Sequence, residues 1–140
     1  MRRTLAAGLI TLALTAGSGA VPALGADEGE VHPEWGMTSA PNAVLKKGCK
    51  YYTYSYDITP PEGTWNLETF IIGPGGKALF NDAFLGPYDP EQNTARFRIC
   101  KPSTRYGRFT IKAKLSVQNG REYVEGWLPP STFRLHRRHH

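Results

Sequence analysis

Residues 108–128 read RFTIKAKLSVQNGREYVEGWL, and this stretch decides the fold class. Apolar and polar side chains alternate from Phe109 to Val117, which is the two-residue period of a half-buried β-strand. Asn119 and Gly120 follow, and this pair is typical of a two-residue type I′ hairpin turn. The stretch therefore predicts an antiparallel hairpin with one apolar face and one charged face.

A two-residue loop at this point also predicts the register of the hairpin. The predicted pairs are Leu115 with Val124, Ile111 with Leu128, Lys114 with Glu125, and Lys112 with Trp127. Apolar residues then meet on the inner face and opposite charges meet on the outer face. Trp127 is predicted to lie on the outer face beside an ammonium group, in a cation–π contact.

The same period extends outward along the chain. Further strands are predicted at residues 49–58, 65–72, 77–85 and 94–100. Turns rich in Gly and Pro separate them, and no stretch has the 3.6-residue period of an amphipathic helix. About seven short strands predict an all-β fold, an antiparallel β-sandwich.

The N-terminus has the pattern of a secretory signal peptide. Arg2 and Arg3 precede an apolar run of about a dozen residues, shorter than the roughly 20 that cross a bilayer as a helix. Residues 1–26 are therefore predicted to be removed, with cleavage after Ala26, or alternatively after Gly25 or Ala23. The mature chain is expected to be secreted and extracellular, without a membrane segment.

Cys49 and Cys100 are the only cysteines, and in an exported chain they are expected to form one disulfide. Both fall on the more polar sides of their predicted strands. The bond is therefore expected at the margin of the sandwich. Closing a loop of about 50 residues corresponds to roughly 4 kcal/mol in the chain-entropy model.

The mature chain divides into three parts. Residues 27–42 are predicted to be an irregular lead-in, residues 43–133 the sandwich domain, and residues 134–140 a basic tail of His and Arg. The formal charge of the whole chain is +5. Without the two leader arginines and the three tail arginines, 12 basic and 12 acidic residues remain, so no phosphate-binding face is expected on the domain and no nucleic-acid partner.

Catalytic chemistry is not expected. All histidines lie outside the predicted sandwich: His32, His136, His139 and His140. A catalytic triad needs a histidine on a rigid support, so no catalytic residue, cofactor or metal is predicted. Glu62 with Glu68 is the conceivable carboxylate pair of a glycoside hydrolase, although solvated surface acids are the favoured interpretation.

Two oxygen- or nitrogen-rich groups raise the question of metal binding. Asp82 and Asp89 lack the spacing of a calcium loop and are interpreted as turn residues. His136 with His139 or His140 could bind a divalent metal, but the adjacent arginines oppose a cation. The tail is interpreted instead as associating with anionic polymers such as wall teichoic acids.

Surplus aromatic residues indicate a binding surface. The predicted register places Tyr51, Tyr123 and Trp127 on outward faces, where aromatic rings can stack sugars or anchor a protein. These three are the candidate ligand-binding residues.

Two sequence features carry a family resemblance. Cys49, Trp65 and Cys100 occur in the order Cys, Trp, Cys, and residues 106–111 read YGRFTI, a Gly-x-aromatic-x-aliphatic strand start. In these features the chain resembles the immunoglobulin-like sandwiches that bacteria secrete, which implies an immunoglobulin-like topology. As a whole it resembles small exported proteins of high-GC Gram-positive bacteria.

The leading functional hypothesis is a secreted, non-enzymatic binding or structural module. One alternative is a carbohydrate-binding module that uses the exposed aromatics. The other is a small secreted hydrolase or a protease inhibitor, with residues 86–93 as the inhibitory loop. The expected partner is a polysaccharide, a cell-wall polymer or a protein.

Overall fold

The computed structural model describes residues 29–139, so the predicted signal peptide and His140 lie outside the described residues. Nine strands are present in the described part: Gly36–Ser39 (β1), Ala43–Val44 (β2), Cys49–Ile58 (β3), Thr64–Ile72 (β4), Ala78–Leu85 (β5), Gln92–Cys100 (β6), Gly107–Asn119 (β7), Glu122–Trp127 (β8) and Ser131–His136 (β9). Short 3-10 turns lie at Pro33–Trp35 and Lys101–Ser103. The predicted all-β sandwich is confirmed, with two strands more than the seven expected. None of these residues forms a helix long and apolar enough to cross a membrane.

The strands form two sheets. One sheet has three antiparallel strands in the order β1-β3-β6, and the other has six, in the order β2-β9-β7-β4-β5 with β8 also paired to β7. β8 and β9 follow one another along the same edge of β7, and the register shifts by one residue between them, where Pro129 and Pro130 interrupt the pairing. Only β2 and β9 pair in parallel among the named strands.

The hairpin of β7 and β8 forms where predicted, but its register differs by two residues. Val117 lies opposite Val124, and Lys114 rather than Lys112 lies opposite Trp127. Asn119 pairs with Glu122, so the turn residues are Gly120 and Arg121, and of these two only Gly120 has a positive φ, of 59°. Glycine at the first central position defines a type II′ turn. A shift of two residues preserves the face of every side chain, so the division into inner and outer faces remains correct.

Aromatic side chains join the two sheets at the centre of the core. Phe97 of β6 is completely buried, and its ring centroid lies 5.6 Å from that of Phe133 on β9. The buried hydroxyls of Tyr54 and Thr69 also meet across the sheets at 2.7 Å. Burial raises the pKa of Tyr54 to about 12, so this phenol stays neutral and available for hydrogen bonding.

The predicted limits of the domain need correction at both ends. The lead-in is not wholly irregular, because β1 pairs with β3 and Trp35 is buried. Four residues with one buried member, Thr38, are too few to show a period. The tail starts later than predicted, because β9 continues to His136 and buries Leu135.

The Cys49–Cys100 disulfide is present and lies at the margin, as predicted. The two cysteines are direct partners on β3 and β6, and they form the terminal rung of that ladder. The bond therefore ties together two strand ends within one sheet. Just beyond it, the backbone amide of Lys101 donates to the carbonyl of Gly48 at 2.9 Å.

Candidate anion-binding site

Strand directions bring four segments to one end of the sandwich, which we call the basic end. Cys49 pairs with Cys100, Gly107 with Leu135, and the β4–β5 turn lies beside Gly107. The segments are residues 43–50, 73–79, 99–109 and 133–139, and none contains Asp or Glu. Their ten basic residues are Lys46, Lys47, Lys50, Lys77, Lys101, Arg105, Arg108, Arg134, Arg137 and Arg138.

The opposite end of the sandwich is acidic. There the amide of Ile58 donates to the carbonyl of Glu91, and Thr64 pairs with Gln118. Residues 57–65, 86–92 and 118–125 meet at this end and contain six acidic residues and one basic residue. The expectation that the domain has no basic face is therefore wrong. Its charges nearly cancel in number, but they are separated in space.

A groove of ≈ 690 Å³ lies at the basic end. Its lining includes six cationic side chains and one tyrosine: Lys46, Lys47, Lys50, Lys101, Arg137, Arg138 and Tyr106. Within residues 29–139, no acidic residue lines it. We call this cavity the basic groove.

The backbone beneath these cations is held in place. Leu45 is buried, and its amide donates to the carbonyl of His136 at 2.9 Å. The next amide, that of Lys46, donates to the hydroxyl of Tyr52 at 3.0 Å. The segment before β3 is thus attached to both sheets, while Lys46 itself is exposed. A fixed backbone that carries an exposed ammonium group suits a site that attracts anions.

Tyr106 lies between two cations of the basic groove. Lys101 Nζ is 5.0 Å and Arg137 Cζ 5.4 Å from its ring centroid, both within cation–π range. Lys101 lowers the pKa of the Tyr106 phenol, by hydrogen bonding first, and the positive charges of Lys101 and Arg137 lower it further. The lowered pKa therefore reflects these two neighbouring cations.

The three predicted ligand-binding aromatics do not form one surface. Tyr51 is 60% exposed on the outer face of the three-stranded sheet, and Arg96 Cζ lies 4.8 Å from its ring centroid. Tyr123 is 55% exposed, but on the outer face of the other sheet. Tyr51 shares a smaller cavity with Val44 and Lys46, which also line the basic groove. Of the three, only Tyr51 therefore adjoins the basic groove.

Trp127 faces outward, but the prediction that it is exposed is wrong. Its side chain is only 7% exposed because residues 29–32 cross over it. The Trp127 amide donates to the carbonyl of Glu30, the amide of His32 donates to the Trp127 carbonyl, and Gly29 lies against the indole. Lys114 Nζ lies 5.9 Å from the ring centroid, so the cation–π partner is Lys114.

The residues considered for catalysis are not brought together. His32 stacks on Trp35 with ring centroids 3.7 Å apart, and its Nδ1 is 2.8 Å from a carboxylate oxygen of Glu34. Glu62 precedes β4, whereas Glu68 lies within β4 opposite Lys114.

Asp89 is a turn residue, as interpreted from the sequence, whereas Asp82, interpreted in the same way, lies within β5. Asp82 accepts a hydrogen bond from the amide of Ala83, and Asp89 from the amide of Leu85, both at 2.8 Å. Across residues 29–139, no group of three or more His, Cys, Asp or Glu side chains is arranged to hold a metal ion.

The suggested inhibitory loop, residues 86–93, presents Tyr88 at 87% exposure. Besides the bond from the Leu85 amide to the Asp89 carboxylate, the Asp89 amide donates to the Leu85 carbonyl, so the loop closes into a tight turn. A loop that enters a protease cleft has to be extended, because it binds by strand-like pairing. This geometry does not favour the inhibitor hypothesis.

The lysines of the basic groove were not predicted from the sequence, because a charge count along the chain does not show which segments meet. A signal was nevertheless present. Lys50 and Lys101 each follow a cysteine, so a bond between the cysteines brings both lysines together.

No protein-family model matches the chain, and no curated protein matches it either.

Proposed function

We propose that this protein is a secreted, non-enzymatic binding module whose basic groove binds a linear phosphate polymer. The observation that carries the proposal is that six cations and Tyr106 line one groove, with no acidic residue among the described residues of its lining. Lysine offers a compact charge to a phosphate oxygen, and arginine adds paired donors in a planar fork. The groove therefore supplies the groups that recognise phosphate.

A polymer is favoured over a small anion by the spread of the cations. They come from the β2–β3 connection, the segment after β6 and the C-terminal segment. One phosphate group contacts only a few of these side chains, whereas a chain of phosphates reaches all of them. Each neutralised phosphate releases condensed counterions, so affinity grows with the number of contacts.

A polymer without nucleobases is favoured because cations already lie over the faces of the tyrosine rings. Proteins that bind single-stranded nucleic acids offer free aromatic faces on which bases stack. Here cations lie over Tyr106 and over Tyr51. Tyr106 contacts two cations of the basic groove, Lys101 and Arg137, whereas the cation over Tyr51 is Arg96, which is not among the described lining residues. Ring faces covered in this way match a phosphate chain that carries no bases.

An extracellular setting is supported by the disulfide, since such bonds persist in oxidising compartments. It also agrees with the signal peptide predicted at residues 1–26. In that setting the phosphate polymers of bacterial cell walls are the available ligands of this chemistry. We also propose that the sandwich has the immunoglobulin-like topology that the resemblance implies.

The proposal is tested with the double variant Lys46→Ala/Lys101→Ala. At roughly 1 kcal/mol for each lost cation, affinity for long-chain polyphosphate is expected to fall about 30-fold. The slope of log affinity against log salt should also become shallower by about 1 to 2. Fluorescence anisotropy with labelled polymer over a series of salt concentrations measures both quantities.

The matched control is Lys112→Ala/Arg121→Ala, which removes the same charge from residues that do not line the basic groove. Its affinity should stay within about threefold of wild type, because exposed charges beyond a Debye length are screened. Equal losses in the two variants would show a response to net charge alone. Tighter binding of a single-stranded oligonucleotide than of polyphosphate would overturn the choice of a base-free polymer.

Tyr106 offers a direct report on occupancy of the basic groove. Bound polymer places negative charge beside the phenol, so it should raise the lowered pKa of Tyr106 towards its usual range. By linkage, affinity should decrease as the pH rises through that pKa, because ionised Tyr106 repels the polymer. Phenolate absorbance measured against pH, with and without polyphosphate, tests this expectation, and Tyr106→Phe identifies the signal. A pKa unchanged by saturating polymer would place the ligand elsewhere.

A further inference from the structure

A second basic cavity lies on the other side of residues 101–106. It has a volume of ≈ 380 Å³ and is lined by the β4–β5 turn and by residues 102–105. Among the described residues that line it, Lys77 and Arg105 are the only charged ones, and both are positive. We call it the glycine-turn cavity.

The two cavities share one separating segment. Lys101 and Tyr106, at the ends of residues 101–106, line the basic groove, whereas Pro102 to Arg105 line the glycine-turn cavity. The segment is held by a 3.2 Å hydrogen bond from the Thr104 amide to the Lys101 carbonyl. A further bond of 2.7 Å runs from the Ser103 hydroxyl to the Cys100 carbonyl. The segment is therefore a fixed ridge with cations on both sides.

The glycine turn leaves the second cavity open. The Gly73 amide donates to the Lys77 carbonyl and the Gly76 amide to the Gly73 carbonyl, both at 2.9 Å. These two hydrogen bonds define the backbone conformation of the turn. A side chain added at Gly75 or Gly76 would meet no atom within 4 Å, so this edge of the turn is uncovered. A polymer can therefore pass close to the backbone while Lys77 and Arg105 contact its phosphates.

We propose that one phosphate chain crosses the ridge and occupies both cavities, so that the protein selects long linear phosphate polymers over short ones. This inference rests on the proposed function of the basic groove. Two separated sets of cations add their contributions only when one chain spans both of them. Lys77 and Arg105 then determine the preference for length, while the basic groove binds chains of any length.

The test compares tripolyphosphate, long-chain polyphosphate and poly(glycerol phosphate) as probes. Lys77→Ala/Arg105→Ala should lower the affinity for long-chain polyphosphate about tenfold. The affinity for tripolyphosphate should stay within about twofold of wild type, since a short chain fills one cavity only. Lys46→Ala/Lys101→Ala should weaken the binding of both tripolyphosphate and long-chain polyphosphate. The exchange Lys77→Arg/Arg105→Lys keeps both charges and should retain the affinity for the long chain. Thermal unfolding of each variant verifies that it is folded.

The outcomes separate the two proposals. Equal loss of the short and long probes in Lys77→Ala/Arg105→Ala, or no loss of either, would overturn the length selection while leaving the basic groove intact. If wild type binds none of the probes at low salt, the proposed function itself fails. Comparable binding of poly(glycerol phosphate) supports a wall polymer as the source, and preference for polyphosphate supports a free polyphosphate.

Discussion

Phe97→Ala is expected to lower the free energy of unfolding by about 3–5 kcal/mol, the range for truncation of a buried phenylalanine. Phe97 is fully buried. Its ring lies beside Tyr52 and Tyr54 of its own sheet, and beside Phe80 and Phe133 of the other. Truncation therefore leaves a cavity at the point where the sheets meet. Urea denaturation followed by tryptophan fluorescence measures the loss.

The control is Arg98→Ala, one residue further along β6. Arg98 is exposed on the outer face, and such a change should stay within about 0.5 kcal/mol of wild type. Phe97→Leu, which keeps most of the apolar volume, should fall between the two. A loss below about 1 kcal/mol for Phe97→Ala would contradict a core centred on this ring.

Strands with several buried residues could be predicted from the sequence. β3 was predicted with its observed ends, because Tyr52, Tyr54, Tyr56 and Ile58 are all buried and alternate with more exposed residues. β4 was predicted to within one residue for the same reason. A two-residue period becomes visible only when a strand buries several side chains on one face. β1 buries one side chain and β2 none, so neither shows the period.

The exposure of Trp127 could not be predicted from its own strand. Its register correctly places the side chain on the outer face, but exposure depends on which distant segment covers that face. Residues 29–32 contain Gly, Glu, Val and His and have no strand pattern. Their position follows from backbone bonds to Trp127, which carry no side-chain signal. Tertiary coverage of this kind lies beyond a local pattern.

The basic end, which carries the candidate site, could not be predicted from the charge pattern of the sequence. The charge count along the chain was correct, yet it described the average of two oppositely charged ends. Strand order decides which loops meet, and only pairings distant in sequence bring residues 43–50 beside 133–139. The disulfide was the one such pairing available from the sequence. It alone carried the information that Lys50 and Lys101 are neighbours, and that inference was not drawn from the sequence.

Removing the disulfide with Cys49→Ala/Cys100→Ala should lower the free energy of unfolding by about 2–4 kcal/mol. The two cysteines are 51 residues apart, for which the chain-entropy model gives about 4 kcal/mol.

The same change should weaken polyphosphate binding, because the terminal rung holds the strand ends that carry Lys50 and Lys101. That loss should be smaller than for Lys46→Ala/Lys101→Ala, since every cation remains. Denaturation and anisotropy on one preparation measure both effects, and wild type reduced with a dithiol should match the variant. Unchanged affinity in a clearly destabilised variant would show that the rung supports the fold but not the basic groove.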